Sequence, residues 1–352
     1  MRDPNNPATQ LEGSTLDGGW LVTELIERPP RSTGGCFSQS YRVRNGDGRI
    51  AYLKALDFFR AFQPGANLTD VVQHITTIFN FERDLLRICE DRRMDRVVRA
   101  IDNGVATVSS TPFGSVPYLI FEAADCDVRH HLDRGSATGF AWKLRSLHHI
   151  ATGLRQLHGA GIAHQDLKPS NVLVFRSNVS GETSKLADLG RASRAGVACP
   201  FDLENWPGDP NYAPPEFHYG HVEADWNRRR IGADLYLLGS MVVFLFTQTT
   251  SISMLLNALP VEFWPANWNG TYTGVLPYVQ HAHGLFLQDF GSQIENDTLR
   301  GELLPVLQQL CEPDPARRGD TSRPINKLAL ERYVSRFDLL ASRAEAGRYG
   351  GR

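Results

Sequence analysis

His164-Gln165-Asp166-Leu167-Lys168-Pro169-Ser170-Asn171 is followed, after a short apolar stretch, by Asp188-Leu189-Gly190. An acid in a loop, an amide a few residues on and a second acid beyond give a base and two oxygen ligands for a hard cation, all within reach of one phosphate. That pattern suits phosphoryl transfer. His164 beside Asp166 also invites a hydrolase triad, but no Gly-x-Ser-x-Gly elbow accompanies it, and His164 reads as a residue that packs and hydrogen-bonds the loop.

The run resembles the catalytic loop and the metal-binding Asp-Phe-Gly of eukaryotic-type serine/threonine protein kinases. Gln165 stands where most members carry Arg, and Leu189 where most carry Phe. Each piece alone is common by chance; their order is specific. Lys54, Glu82, Asp166, Asn171 and Asp188 are followed by Tyr212-Ala213-Pro214-Pro215-Glu216, by Asp234 in an apolar run, and by Asp314-Pro315 with Arg318. The last three resemble the Ala-Pro-Glu motif with Pro214 in its Ala position, the aspartate of the central helix, and the arginine that pairs with the motif's glutamate. The resemblance implies a two-lobed α+β fold, a small mainly β lobe with one major helix and a larger mainly α lobe. The expected division is a flexible tail over 1–17, a kinase domain over 18–340 and a C-terminal tail over 341–352. Within the domain the small lobe spans about 18–121, the hinge 122–126 and the large lobe 127–340.

It also implies roles. Lys54 would hold the α- and β-phosphates of ATP and Glu82 would orient it; Asp166 would accept or orient the substrate hydroxyl proton; Lys168 would neutralise the transferred phosphoryl group. Asn171 and Asp188 would ligate Mg²⁺, or Mn²⁺ in its place. Lys168 in this run resembles serine/threonine rather than tyrosine kinases, and the Ala-Pro-Glu segment argues against small-molecule kinases. The other reading is a pseudokinase scaffold, but such chains usually lose the lysine or one of the two aspartates, and all are present. Asp209 takes the place of a threonine that contacts the catalytic aspartate and lysine; an acid there either pairs with Lys168 or repels Asp166.

Composition agrees with globular material: 41% of residues are hydrophobic and 22% charged. A net charge of −2 gives no bulk attraction to nucleic acid or anionic membrane, so the expected partner is a protein substrate with a Ser/Thr acceptor; oligomeric state is open. Arg228-Arg229-Arg230 reads as a solvated surface cluster. Cys36, Cys89, Cys126, Cys199 and Cys311 are odd in number without metal-ligand spacing, which favours a reducing, cytoplasmic setting. The apolar run 235–246 is too short to span a bilayer and reads as a buried helix.

Along the chain, alternation predicts strands around Trp20–Ile26 and Tyr41–Val43, flanking a turn with Gly34, Gly35 and Phe37. This turn matches the kinase glycine loop loosely, since Thr33 and Ser38 occupy two of its glycine positions. It is equally an ordinary hairpin turn. A strand over 50–54 carries Lys54, with Tyr52 where the family usually has Ala over the adenine ring. Helical periodicity spans Leu68–Glu90 and holds Glu82, with Glu90 as rival partner for Lys54. Strands over 97–101 and 118–121 lead to Phe121 in the gatekeeper position and to Glu122 and Ala124, whose backbone would meet adenine. Asp127 either reaches the ribose hydroxyls or caps the next helix. One helical face holds Leu144, Leu147, Ile150, Leu154 and Leu157, and a hairpin over 172–187 joins the two ends of the metal site. Residues 248–310 form an aromatic- and proline-rich segment between helices, and 326–345 a final helix. The segment from Asp188 to Glu216 contains no threonine and one serine, Ser193, so no activating phosphosite is expected there.

Overall fold

Period-2 burial sets the first sheet. In the computed structural model, which describes residues 5–27, 38–59, 67–108, 114–133, 138–177, 181–202, 204 and 206–349, strands β1 (Leu21–Leu25), β2 (Ser38–Arg44), β3 (Ile50–Leu56), β4 (Ala100–Thr107) and β5 (Ser115–Glu122) pair antiparallel in the order β1-β2-β3-β5-β4. Tyr41, Val43, Ala51, Leu53, Ala55 and Ile120 are buried in one cluster. Because side chains alternate across a strand, Tyr52 and Lys54 point to the opposite face. Between β3 and β4 runs helix α1 (Leu68–Asp91), capped by the Asn67 side chain, which accepts from the Thr69 N–H. β4 begins at Ala100, later than the strand expected over 97–101; Val97 and Val98 are instead buried in the approach to it.

Among the described residues, 5–17 are not the mobile tail the composition suggests. Ala8, Leu11 and Leu16 join the core of the sheet, the Tyr41 hydroxyl donates to the Ala8 carbonyl at 2.7 Å, and Asn6 donates to both oxygens of buried Asp57 at 3.0 and 3.1 Å. Three apolar residues scattered among polar ones carry no periodicity, yet each joins the sheet's core cluster. The glycine turn, with Gly34, Gly35 and Phe37, lies outside the described residues.

The chain divides into two units, 1–125 and 126–352. In the second, β6 (Cys126–Asp127) leads into α2 (Val128–Asp133) and α3 (Phe140–His158). The five leucine and isoleucine positions of the α3 face are all buried, each worth about 2 kcal/mol gross. β7 (Ile162–Ala163) precedes the loop 164–171, and β8 (Val172–Ser177) pairs with β9 (Gly181–Leu186) as the expected hairpin. β10 (Ser193–Arg194) returns to pair with β7. After α4 (Pro215–His218), a π turn (Asn227–Ile231) opens α5 (Gly232–Thr247). With that turn α5 is long and apolar enough to cross a membrane, but it is buried against its neighbours, as a central core helix is.

Residues 248–310, expected as an aromatic- and proline-rich segment between helices, themselves form α6 (Ser251–Ala258), α7 (Tyr272–Ser292) and α8 (Asp297–Leu310). Pro277 and Pro305 lie inside α7 and α8, where each removes one ladder donor. Burial of Val275, Val279, Ala282, Phe286 and Phe290 along α7 overrides that local cost. The last helix, α9 (Glu331–Glu345), starts later than expected, and beyond the exposed residues that follow it Tyr349 is buried, its carbonyl accepting from Asn296 at 2.7 Å.

Candidate active site

In the N-terminal unit the lysine and glutamate meet. Lys54 on β3 donates from Nζ to both carboxylate oxygens of Glu82 on α1, each at 2.9 Å, and the Glu82 side chain is nearly excluded from solvent. Glu90 instead makes an exposed contact with Arg99 at 3.4 Å. Tyr52, on the same β3 face as Lys54, hydrogen-bonds the Ser40 hydroxyl, and its ring lies tilted to Phe121 with centroids 6.5 Å apart. Glu122 closes the end of β5: its N–H donates to the Arg99 carbonyl at 3.1 Å and its carboxylate accepts from the Arg99 N–H at 2.9 Å.

At the start of the second unit, Asp127 accepts from the His130 backbone N–H at 2.8 Å and faces His130 Nδ1 at 2.9 Å. Of the two roles left open for Asp127, the structure shows the helix cap.

The loop 164–171 is wired from below by α5. Buried Asp234 accepts from the backbone N–H groups of His164 (2.7 Å) and Gln165 (2.8 Å), and from His158 Nε2 at 2.9 Å. Burial alone would raise the Asp234 carboxyl, but these bonds and the adjoining histidines hold it below the ordinary carboxylate range. His164 accepts from the Asp166 N–H through Nδ1, which leaves Nε2 to donate to the Ala187 carbonyl at 3.1 Å. One imidazole thereby ties the loop to the residue before Asp188.

Asp166 is buried and fully engaged. Its Oδ2 accepts from Asn171 Nδ2 at 2.9 Å and lies 3.1 Å from Lys168 Nζ, while Oδ1 accepts from the Asp209 N–H at 2.8 Å. Burial pushes the Asp166 carboxyl upward, Lys168 opposes this, and the charge of nearby Asp188 adds to it. Of the two readings of Asp209 the structure shows the pairing: its carboxylate reaches Lys168 at 3.4 Å, and its amide, not its carboxylate, meets Asp166. The backbone comes this close because residue 208 is glycine; a Cβ there would run into the Gln165 carbonyl and sit 2.9 Å from Asp166 Oδ1.

The donor set fits a divalent cation. Asn171 Nδ2 also donates to the Asp166 carbonyl at 2.8 Å, so the amide oxygen is the atom turned away from Asp166. Asp188 holds a left-handed backbone, φ +62°, at the turn after β9. Among the described residues no three His, Cys, Asp or Glu side chains cluster as a ready-made cage. One amide oxygen and one carboxylate, completed by phosphate and water, is the sparse ligation magnesium accepts.

A family model described as "Protein kinase domain" matches residues 82–259, half of the chain. This chain belongs to the protein kinase family. A kinase of this family uses ATP and a divalent metal. Among curated proteins the chain is 37% identical to cyclin-dependent kinase 4 of Ovis aries over 175 residues, 49% of this chain and 54% of that one. It is 28% identical to cell division control protein 2 homolog 3 of Trypanosoma brucei brucei over 209 residues, 57% and 64% of the two chains. Against cyclin-dependent kinase E-1 of Arabidopsis thaliana it is 27% identical over 256 residues, 64% and 51%. The chain thus spans less than two thirds of these relatives' own lengths.

The kinase motifs beyond the catalytic loop also form. Arg318 donates from Nη1 and Nη2 to the two oxygens of Glu216 at 2.7 and 2.8 Å, with both side chains buried. Burial would lower the guanidinium, but Glu216 more than offsets it and drives Arg318 above its ordinary range. Tyr212 is buried, its hydroxyl accepting from Arg129 Nη2 at 2.9 Å. Ser193 is buried too, donating to Asp202 at 3.2 Å and accepting from Trp226 Nε1 at 3.2 Å.

One expectation fails in this region. The arginine cluster is not all solvated surface, because Arg230 is 2% exposed and bridges Gln165 and Asp202. Its spacing from Asp234, one helical turn, was the available signal, since both residues then face the catalytic loop.

Proposed function

We propose that this chain is a serine/threonine protein kinase that transfers the γ-phosphoryl group of ATP to a protein hydroxyl. The observation that carries the reading is the Asp166 cluster, in which Lys168, Asn171 and the Asp209 amide hold the carboxylate in one place. The substrate hydroxyl oxygen forms the new bond to the γ-phosphorus as the bond to the β,γ-bridging oxygen breaks. Asp166 takes the hydroxyl proton, and ADP leaves. A carboxyl already pushed upward by burial is the better acceptor. Lys168 neutralises charge on the phosphoryl group in flight, and Lys54, oriented by Glu82, holds the α- and β-phosphates. Asn171 and Asp188 would hold Mg²⁺, or Mn²⁺, which would supply the remaining neutralisation of phosphate charge.

The reading includes independence from activation-segment phosphorylation. Gln165 offers no charge to a phosphate, and Ser193 and Tyr212 are both buried and hydrogen-bonded. The four free thiols among the described residues, Cys89, Cys126, Cys199 and Cys311, support a cytoplasmic setting.

The test uses purified protein, labelled ATP, Mg²⁺ and a generic basic protein substrate, beside an Asp166→Asn variant. Label on serine or threonine with the parent and its loss in the variant are expected. Equal labelling by both would remove Asp166 from the mechanism, and no labelling by the parent would favour the scaffold reading.

A further inference from the structure

We propose that Arg230 and Asp202 are positioning residues that hold the activation segment and the catalytic loop in working register through a built-in ion pair, doing with a fixed carboxylate what an added phosphate would otherwise do. The inference rests on the kinase reading above and names how its site is regulated.

Three observations converge on it. Asp202 is the hub of the segment after Asp188: Oδ1 accepts from the Ser193 hydroxyl at 3.2 Å and from Arg230 Nη2 at 3.1 Å, Oδ2 accepts from the Cys199 N–H at 3.0 Å, and its carbonyl accepts from Arg230 Nη2 at 3.2 Å. Residues 193, 199 and 202 are thereby drawn to one point, and Ser193 carries with it β10, which pairs with β7. The second observation lies on the other side of Arg230. Its Nη1 donates to Gln165 Oε1 at 3.2 Å, and Gln165 Nε2 returns a bond to the Arg230 carbonyl at 2.8 Å. Gln165 immediately precedes Asp166 and sits at φ +67°, a conformation an L-residue adopts at a cost, so something must fix it. The reciprocal amide pair with Arg230 and the Asp234 bonds do so.

The third observation is burial. The Arg230 side chain is 3% exposed while Asp202 keeps 27% of its surface. A guanidinium removed from water needs a permanent anion, and among these contacts only Asp202 supplies one. A neutral Gln165 is therefore consistent with the design: an arginine in its place would bring a second buried cation beside Arg230. Arg191, paired with Glu204 at 3.0 Å and stacked on the Phe201 ring at 4.0 Å, braces the same stretch from outside.

The test compares Asp202→Asn, which keeps shape and loses charge, with Asp202→Glu, which keeps charge, and with Arg230→Met, by steady-state transfer and by hydrogen exchange. Asp202→Asn and Arg230→Met are expected to lower kcat at least tenfold with the KM for ATP within twofold of the parent, and Asp202→Glu to recover most of kcat. Amides of residues 189–199 and 164–166 should exchange at least fivefold faster in Asp202→Asn, with α3 and α9 unchanged. Phosphatase treatment should leave the parent's kcat as it was. A parental kcat in Asp202→Asn, or a loss that raises the KM for ATP and exchange in every helix alike, overturns the proposal. So does a kcat in Asp202→Glu as low as in Asp202→Asn. Should the parent itself transfer no phosphate, the kinase reading falls, and exchange alone then decides the clamp: local acceleration at 164–166 and 189–199 upholds it, and unchanged exchange there ends it.

Discussion

Glu216→Ala tests whether the second unit is pinned by one buried ion pair. Arg318 is fully buried and spends its two terminal nitrogens on Glu216 at 2.7 and 2.8 Å. After the substitution the guanidinium keeps the carbonyls of Gly232 (3.2 Å), Glu312 (2.9 Å) and Pro313 (3.4 Å), and the Tyr236 ring at 5.2 Å. Its hydrogen bonds are therefore partly preserved, but its charge has no counterion. Breaking one partner of a buried pair costs about 3–5 kcal/mol, and the surviving carbonyls place this case in the lower half, about 3–4 kcal/mol. For a unit of this size each kcal/mol moves Tm by about 2–4 °C, so a fall of about 6–16 °C is expected in a calorimetric scan. Removing both charges, Glu216→Ala with Arg318→Met, should cost less than the single substitution, because no buried ion is then left uncompensated. Well below its Tm, the single variant should keep kcat within about threefold, since the pair touches none of the reacting groups. A Tm within 1 °C (roughly the scan's resolution) of the parent's, or a double variant worse than the single one by the full cost of the second site, would refute the reasoning.

Lys54→Met and Asp188→Asn should each reduce single-turnover transfer by at least about 100-fold, the loss of one charge contact worth about 3 kcal/mol, with an unchanged circular dichroism spectrum; undiminished transfer in either would cancel that residue's role. Tyr52→Ala should change ATP affinity more than threefold (about 0.7 kcal/mol or more) while Tyr52→Phe, which keeps the ring and loses the hydroxyl that bonds Ser40, should change it less; calorimetry showing no effect of Tyr52→Ala would place the ring away from the base. Stability should also fall between pH 7 and 5. Burial holds His218 and His283 at about 4, below the ordinary value of 6.5, so the unfolded chain binds more protons in that window and stability rises with pH. Each contributes about 2 kcal/mol between those pH values, and a His218→Phe/His283→Phe variant whose urea midpoint keeps the parent's pH slope would contradict the assignment.

The sequence by itself determined what depends on neighbours a few residues apart. The catalytic loop was legible because base, lysine and amide fall within one turn of chain, and the strand carrying Lys54 and the helix carrying Glu82 because their burial periods are regular. The resemblance to protein kinases, carried by the order of the motifs, implied the pairs Lys54–Glu82 and Glu216–Arg318, and both form. What the tertiary structure decided is the fate of groups whose environment comes from distant parts of the chain. Arg230 looked like the end of a solvated basic run and is buried, because Asp202 and Gln165, far away in sequence, meet it. Asp209 had two opposed readings, and the choice depended on whether its amide or its carboxylate faced Asp166; the close approach at Gly208 settled that the amide does. The N-terminal residues and the proline-containing helices α7 and α8 escaped local reading for the same reason. Propensity and periodicity are short-range signals of a fraction of a kcal/mol per residue, whereas burial against a remote surface contributes several times more per side chain and overrides them.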